Sequence, residues 1–159
     1  MRSIGQALLG RALSADRPVL ILSGNDVEHA LLSLACLHVG LSYAPVSPAH
    51  SLLSADMVKL RQIGSLTTPG LVFVSDAAAF GRALDALTPH DAEIVAVRNG
   101  RPGNTPFTTL MAEIPGPAVD LATGRVTGDT VAKLLFTSGS TGNPKAVINT
   151  TACCAPTRP

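Results

Sequence analysis

Short apolar runs that read as buried strands, alternating with stretches of helical period, predict an α/β fold: a mostly parallel sheet with flanking helices. Val19-Leu20-Ile21-Leu22, Gly70-Leu71-Val72-Phe73-Val74 and Glu93-Ile94-Val95-Ala96-Val97 are continuous rather than alternating, as strands covered on both faces require. Hydrophobic residues make up 46% of the chain and aromatics only 3%, so its core must be built from Ala, Leu, Val and Ile. A domain of 159 residues can bury roughly two-thirds of its unfolded surface, enough for such a core.

Each element has a local cause. Ile4, Leu8 and Leu9 place one apolar face on an N-terminal helix, whose run is broken by Gln6, Gly10 and Arg11 in a way that no secretory signal shows. The strand Val19–Leu22 leaves into the turn Ser23-Gly24-Asn25. A helix capped by Asn25, with Glu28 three residues on, then carries Val27, Ala30, Leu31, Leu34 and Ala35 on one stripe and stops at Gly40. Tyr43 to Val46 is extended, Leu52 to Ile63 helical, and Ala77 to Leu87 helical after the second long strand. From Arg98 to Gly128 the residues Gly100, Pro102, Gly103, Pro106, Pro115, Gly116 and Pro117 break any period, which reads as an irregular connector with one short helix over Phe107–Glu113. Thr130 to Thr137 and Lys145 to Thr150 are strands rich in apolar and β-branched residues.

The formal net charge of +1 provides no field to draw in nucleic acid, and no apolar run approaches the ~20 residues that span a bilayer. Cys36, Cys153 and Cys154 form no CxxC pair and no even disulfide framework, which argues for a reducing cytoplasm. Cys36 sits in a helical apolar run and reads as core. His29, His38, His50 and His90 lack metal-ligand spacing, so no metal site is assigned, and Asp76, Asp85 and Asp91 read as capping or solvated carboxylates.

Between the last two strands lies Thr137-Ser138-Gly139-Ser140-Thr141-Gly142-Asn143-Pro144-Lys145. Its glycines are three apart, Pro144 precedes the lysine, Ala146 follows it, and β-branched residues come next, all of which exclude a Walker loop opening a helix. Without a helix N-terminus, an anion must be held by inward-turned backbone N–H groups, hydroxyls and an ammonium. Gly139 and Gly142 allow close backbone approach, Thr137, Ser138, Ser140 and Thr141 supply hydroxyls, and Lys145 supplies a point charge. No Asp or Glu occurs after Asp129, so the surroundings are locally basic. A solvated Ser/Gly hairpin with an incidental lysine is the alternative that composition leaves open. Gly139-Ser140-Thr141-Gly142 lacks the spacing of a nucleophile elbow.

This nine-residue pattern resembles the phosphate-binding loop of the adenylate-forming (AMP-binding) superfamily, which includes the acyl-CoA synthetases. Val19 to Pro48 resembles the first strand-helix-strand unit of its N-terminal domain, and Lys145-Ala146-Val147-Ile148-Asn149-Thr150 is most similar to feruloyl-CoA synthases. The resemblance implies an ATP-dependent acid–CoA ligase, in which a carboxylic acid attacks the α-phosphorus, pyrophosphate leaves, and coenzyme A takes the acyl group. It implies ATP, Mg2+ and coenzyme A as ligands. It also implies phosphate contacts from Thr137, Ser138, Gly139, Ser140, Thr141, Gly142 and Lys145, with Lys145 as the catalytic cation.

The family's aromatic-Gly-x-Thr-Glu segment and its later motifs do not occur in this sequence, because Tyr43 is followed by Ala44-Pro45. Residues 1–150 are therefore expected to form part of an adenylation N-terminal domain. Residues 151–159 show neither helical period nor strand alternation and are expected to be an unstructured tail outside the family pattern, left by an interrupted reading frame. Such a chain is expected to turn over little by itself. The other functional class is a non-catalytic nucleotide- or phosphate-binding module that needs a partner chain.

Overall fold

The computed structural model describes residues 1–54, 56–87, 91–137 and 144–154. In chain order the elements are α1 (Arg2–Leu9), β1 (Val19–Leu22), α2 (Val27–Val39), β2 (Tyr43–Val46), α3 (Pro48–Ser51), α4 (Val58–Thr67), β3 (Leu71–Asp76) and α5 (Gly81–Leu87). They continue with β4 (Glu93–Arg98), β5 (Thr105–Pro106), α6 (Phe107–Ala112), α7 (Pro117–Gly124), β6 (Val131–Thr137), β7 (Lys145–Thr150) and α8 (Thr151–Cys154). The strands form one sheet of order β5-β4-β3-β1-β2-β6-β7. Every pairing is parallel except β6 with β7. This is the mostly parallel α/β sheet with flanking helices that the strand pattern predicts.

Alternation within the central strands divides the core in two. Val19 and Ile21 of β1, with Leu71 and Phe73 of β3, meet α1, α2 and α6 through Ile4, Leu8, Leu32, Ala35, Cys36 and Leu110. Leu20 and Leu22, with Val72 and Val74, meet α4 and α5 through Leu60, Ile63, Ala83, Leu84 and Leu87. All four residues of β1 are fully buried, which explains its unbroken apolar run. Phe73 and Phe107 pack edge to face at 5.4 Å between centroids, fastening α6 to the sheet.

Several local expectations differ from the fold. Asp26, not Asn25, is the N-cap of α2, and its side chain makes no cap hydrogen bond. The buried stripe of α2 is Leu32, Ser33, Ala35, Cys36 and Val39, while Val27 is 71% and Leu34 48% exposed. Because α2 is apolar on nearly every side, its period does not single out one face.

The helix expected over Leu52–Ile63 starts only at Val58, as α4, after α3 has already ended at Ser51. Ser54 Oγ donates to Asp56 Oδ1 at 3.1 Å, that oxygen accepts the Val58 N–H at 3.2 Å, and Met57 takes a left-handed φ of 54°. In the same way α5 starts only at Gly81, since Asp76 Oδ1 accepts the Ala78 and Ala79 N–H groups at 2.9 and 3.1 Å.

The connector is partly ordered. Pro117 opens α7 in the first turn, where a missing N–H costs nothing, and Gln6 Oε1 accepts the Gly116 N–H at 3.0 Å. Residues 151–154 of the expected tail form a helical turn because the Thr151 N–H donates to Thr130 O at 2.8 Å and the Ala152 N–H to Gly128 O at 3.0 Å.

Arg11 ties the end of α1 to the sheet. Its Nε and Nη2 donate to the Glu93 oxygens at 2.5 and 3.0 Å, its Nη1 donates to Ala7 O, and Thr105 Oγ1 donates to the same carboxylate at 2.7 Å. The Arg11 guanidinium holds the Glu93 carboxyl below its usual range, against partial burial that works the other way.

Two outcomes follow from this packing. Phe73→Ala should lower unfolding stability by about 3–5 kcal/mol in urea titration, since it empties the centre of one core layer. Because Glu93 has a depressed folded pKa, its contribution is complete above its unfolded value of about 4.3 and is lost as pH falls through the lower folded value. Wild-type stability should therefore decline more steeply than that of Glu93→Gln below pH ~4.3, as measured by denaturation at stepped pH.

Candidate functional site

The site forms where the parallel sheet ends. β6 runs parallel to β2, with Tyr43 in register with Lys133, so its carboxyl end reaches the same sheet edge as those of β1 to β4. In open α/β sheets that edge is where ligands bind. β7 then returns antiparallel and places Lys145 directly opposite Thr137. Directly paired residues share a face with Cβ atoms about 4.5–5.5 Å apart, so the hydroxyl and the ammonium stand together at the mouth of the connection.

Register also fixes which face this is. Lys133, Leu135 and Thr137 lie on the Tyr43 side with α2, whereas Leu134 and Phe136 pack on the α4 layer. Across the hairpin, Lys145, Val147 and Asn149 oppose Thr137, Leu135 and Lys133 in turn. Thr137 and Lys145 are both exposed, and the Lys145 ammonium has no carboxylate partner among the described residues. Pro144 is buried beside them and borders a cavity of about 460 Å³ with Arg61, Gln62, Ser65 and Leu66 of α4. The strand-to-strand setting predicted from the β-branched residues after the loop is thus present. Ser138, Gly139, Ser140, Thr141 and Gly142 lie outside the described residues.

Other sequence candidates have partners of their own. His29 Nδ1 lies 2.8 Å from Ser23 Oγ and 3.1 Å from the Gly24 carbonyl oxygen. A carbonyl only accepts, so we assign the proton to Nδ1, and the ring braces the turn after β1. Neither histidine spacing nor period points to this contact; the turn that brings residues 23 and 29 together creates it. Asp76 is the capping carboxylate of the turn before α5. The Asn99 amide, then the Ala79 N–H, are the largest influences holding its carboxyl below the ordinary range. Asp85 pairs with Arg101 at 2.6 Å and Asp91 with Arg17 at 2.8 Å. His90 lies outside the described residues. Among the described residues no three His, Cys, Asp or Glu side chains converge as metal ligands, and no helix is long and apolar enough to cross a membrane.

The class of fold is a mostly parallel α/β sheet with flanking helices, closed at one side by the antiparallel pair β6 and β7. The chain belongs to the AMP-binding enzyme family, whose profile matches residues 1–155. It is 28% identical over 145 residues to the hybrid PKS-NRPS synthetase poxE of Penicillium oxalicum, covering 91% of this chain and 3% of that protein. It is 29% identical over 152 residues to the putative 4-coumarate–CoA ligase-like 8 of Oryza sativa subsp. japonica, covering 92% of this chain and 22% of that one. Its fold matches the fatty acyl-adenylate ligase from L. pneumophila, solved in complex with acyl adenylate and pyrophosphate, at a TM-score of 0.60 and 20% identity. That match covers 94% of this chain and 23% of the ligase. The chain thus spans a small fraction of the proteins it resembles.

The thiols divide sharply by environment. Cys36 is fully buried in α2, and burial pushes its thiol up to about 12, whereas Cys153 and Cys154 are exposed. Ellman's reagent should react with two of the three cysteines in the native protein and with Cys36 only after denaturation.

Proposed function

We propose that the chain is the nucleotide-phosphate-gripping part of an ATP-dependent acid–CoA ligase of the AMP-forming type, with Lys145 as its charged contact. The pairing of exposed Thr137 with an unpartnered Lys145 at the sheet's carboxyl edge carries this reading. In it, Thr137, Ser138, Ser140 and Thr141 donate hydroxyl hydrogen bonds to phosphate oxygens. Gly139 and Gly142 let the backbone N–H groups approach, and the Lys145 ammonium stabilises charge as pyrophosphate departs from the α-phosphorus. The fit is chemical: a cation with no carboxylate partner among the described residues, in a segment free of acids beyond Asp129, suits a polyanion. A magnesium ion bound to the same phosphates would neutralise charge, and the described residues offer it no carboxylate cluster of their own.

The acid is then activated as its adenylate and transferred to the thiol of coenzyme A. An aromatic acid of the feruloyl type rests on the Lys145–Thr150 segment and on the likeness to a protein named as 4-coumarate–CoA ligase-like. Residues 1–150 form the adenylation part in this reading, and free cysteines suit a cytoplasmic setting. Because the aromatic-Gly-x-Thr-Glu motif is not in the sequence, the 159 residues alone should yield little adenylate. A second reading, a phosphate-binding module completed by a partner chain, draws support from the exposed apolar residues of β7.

Lys145→Ala should weaken ATP binding by about ten- to a hundredfold in calorimetry, since a hydrogen bond to a charged group contributes ~1.5–3 kcal/mol. Unchanged affinity would remove Lys145 from the site. Hydroxamate trapping tests the expectation for the 159 residues: ATP binding with little trapped acyl adenylate is the expected outcome, and abundant product would overturn it.

A further inference from the structure

Pro144 and Lys145 are neighbours in the chain but face opposite sides of the sheet. Ala146 stands opposite Phe136, which packs on the α4 layer, and side chains alternate along a strand. Continued one residue before β7, that alternation puts Pro144 on the α4 side, while Lys145 lies on the α2 side opposite Thr137. Burial agrees with it: Pro144 is buried. The cavity it borders is lined otherwise by Arg61, Gln62, Ser65 and Leu66, and all four belong to α4.

The helix that faces Pro144 is itself held firmly. Leu60, Ile63, Gly64 and Thr67 are buried, and a Cβ added to Gly64 would come within 2.7 Å of Leu87 Cδ2, so α4 lies tight against α5. Gln62, Ser65 and Leu66 follow one another at helical spacings of three and four from the first, which makes them one stripe. That stripe borders the same cavity as Pro144. On the other side of the contact, the proline ring locks its own φ at about −65°. The Cα of Lys145 follows across one trans peptide, about 3.8 Å further on. Where Pro144 sits, the strand that carries the ammonium begins.

We propose that Pro144 is a positioning residue for Lys145: seated toward α4, it fixes the start of β7, so that the α4 stripe governs how the ammonium is presented on the opposite face. This rests on the phosphate role of Lys145 proposed above and adds a control on it from side chains on the far face of the sheet. Replacing the proline frees the backbone before Lys145, and shortening Leu66 loosens the seat that Pro144 faces. Either change leaves the ammonium charge intact. The ammonium then samples more positions, and its ordering has to be done at the moment of binding, which lowers affinity.

Calorimetric titration of the 159-residue chain with ATP tests this as a double-mutant cycle. Pro144→Ala should weaken binding about two- to fivefold, the range set by the entropic effect of a proline at a compatible site, and Leu66→Ala should weaken it in the same direction. In a Lys145→Ala background neither substitution should change the affinity that remains, because both act through the ammonium. A residue that only supports the fold would lower affinity equally in the two backgrounds. Equal losses in both would therefore overturn the positioning role, as would unchanged affinity in either Pro144→Ala or Leu66→Ala while Lys145→Ala weakens binding; both results leave the phosphate role of Lys145 standing. If Lys145→Ala binds ATP as tightly as the unaltered chain, the phosphate role fails and the positioning role with it. Should Pro144→Ala fail to fold, Leu66→Ala compared across the two backgrounds decides.

Discussion

Burial of β1 on both faces is the constraint from which the rest of the structure follows. Val19 and Ile21 need α1 and α2 on one side, and Leu20 and Leu22 need α4 on the other. Covering both faces of a sheet with connecting helices forces parallel strands, since each helix must carry the chain back to the edge where the next strand begins. Parallel strands in turn gather every strand-to-helix turn at one edge. The turns after β1, β2, β3 and β4 and the mouth of the β6–β7 hairpin are neighbours for this reason.

How much could be read in advance depends on which physical term settled each element. β1 and β3 were legible because burial on both faces leaves a sequence imprint no loop shares, an unbroken β-type run, and β4 carries a similar run although only Val95 and Ala96 are buried in it. Gly40 was legible as the stop of α2, since it takes a left-handed φ of 74° that L side chains rarely adopt. The buried face of α2 was not legible: Val27, Leu34 and Leu32 are equally apolar, and only the neighbours that happen to be present decide which of them is covered. The break before α4 was hidden for a different reason. It depends on one carboxylate, Asp56, competing with helix propagation for the Val58 N–H, and such local competition changes no periodicity. In α7 the misleading signal was Pro117, a breaker inside a helix but harmless at its first turn. At the candidate site the strand-loop-strand frame was readable from Val147, Ile148 and Thr150, while residues 138–143 are outside the described structure.

Arg2, Arg11, Arg17, Arg98 and Arg101 each face a carboxylate, Asp120, Glu93, Asp91, Asp76 and Asp85 respectively. Most of these pairs are exposed and contribute little to stability individually. They cancel cationic charge locally, whereas Lys145, like Lys59, Lys133 and Arg125, has no carboxylate partner among the described residues.

The antiparallel return of β7 is what distinguishes this site from loops that open a helix. A helix N-terminus brings a fixed dipole and aligned N–H groups to a phosphate. A hairpin brings neither, so in the proposed reading a phosphate would be held by backbone N–H groups and discrete side chains, and the sequence concentrates hydroxyls and glycines in the few positions between the two strands. β7 is the last strand in the sheet order, and among the described residues no strand pairs with its outer side. In the proposed reading Lys145, opposite Thr137, serves the anion site, while Val147, two positions along the same face, stands opposite Leu135.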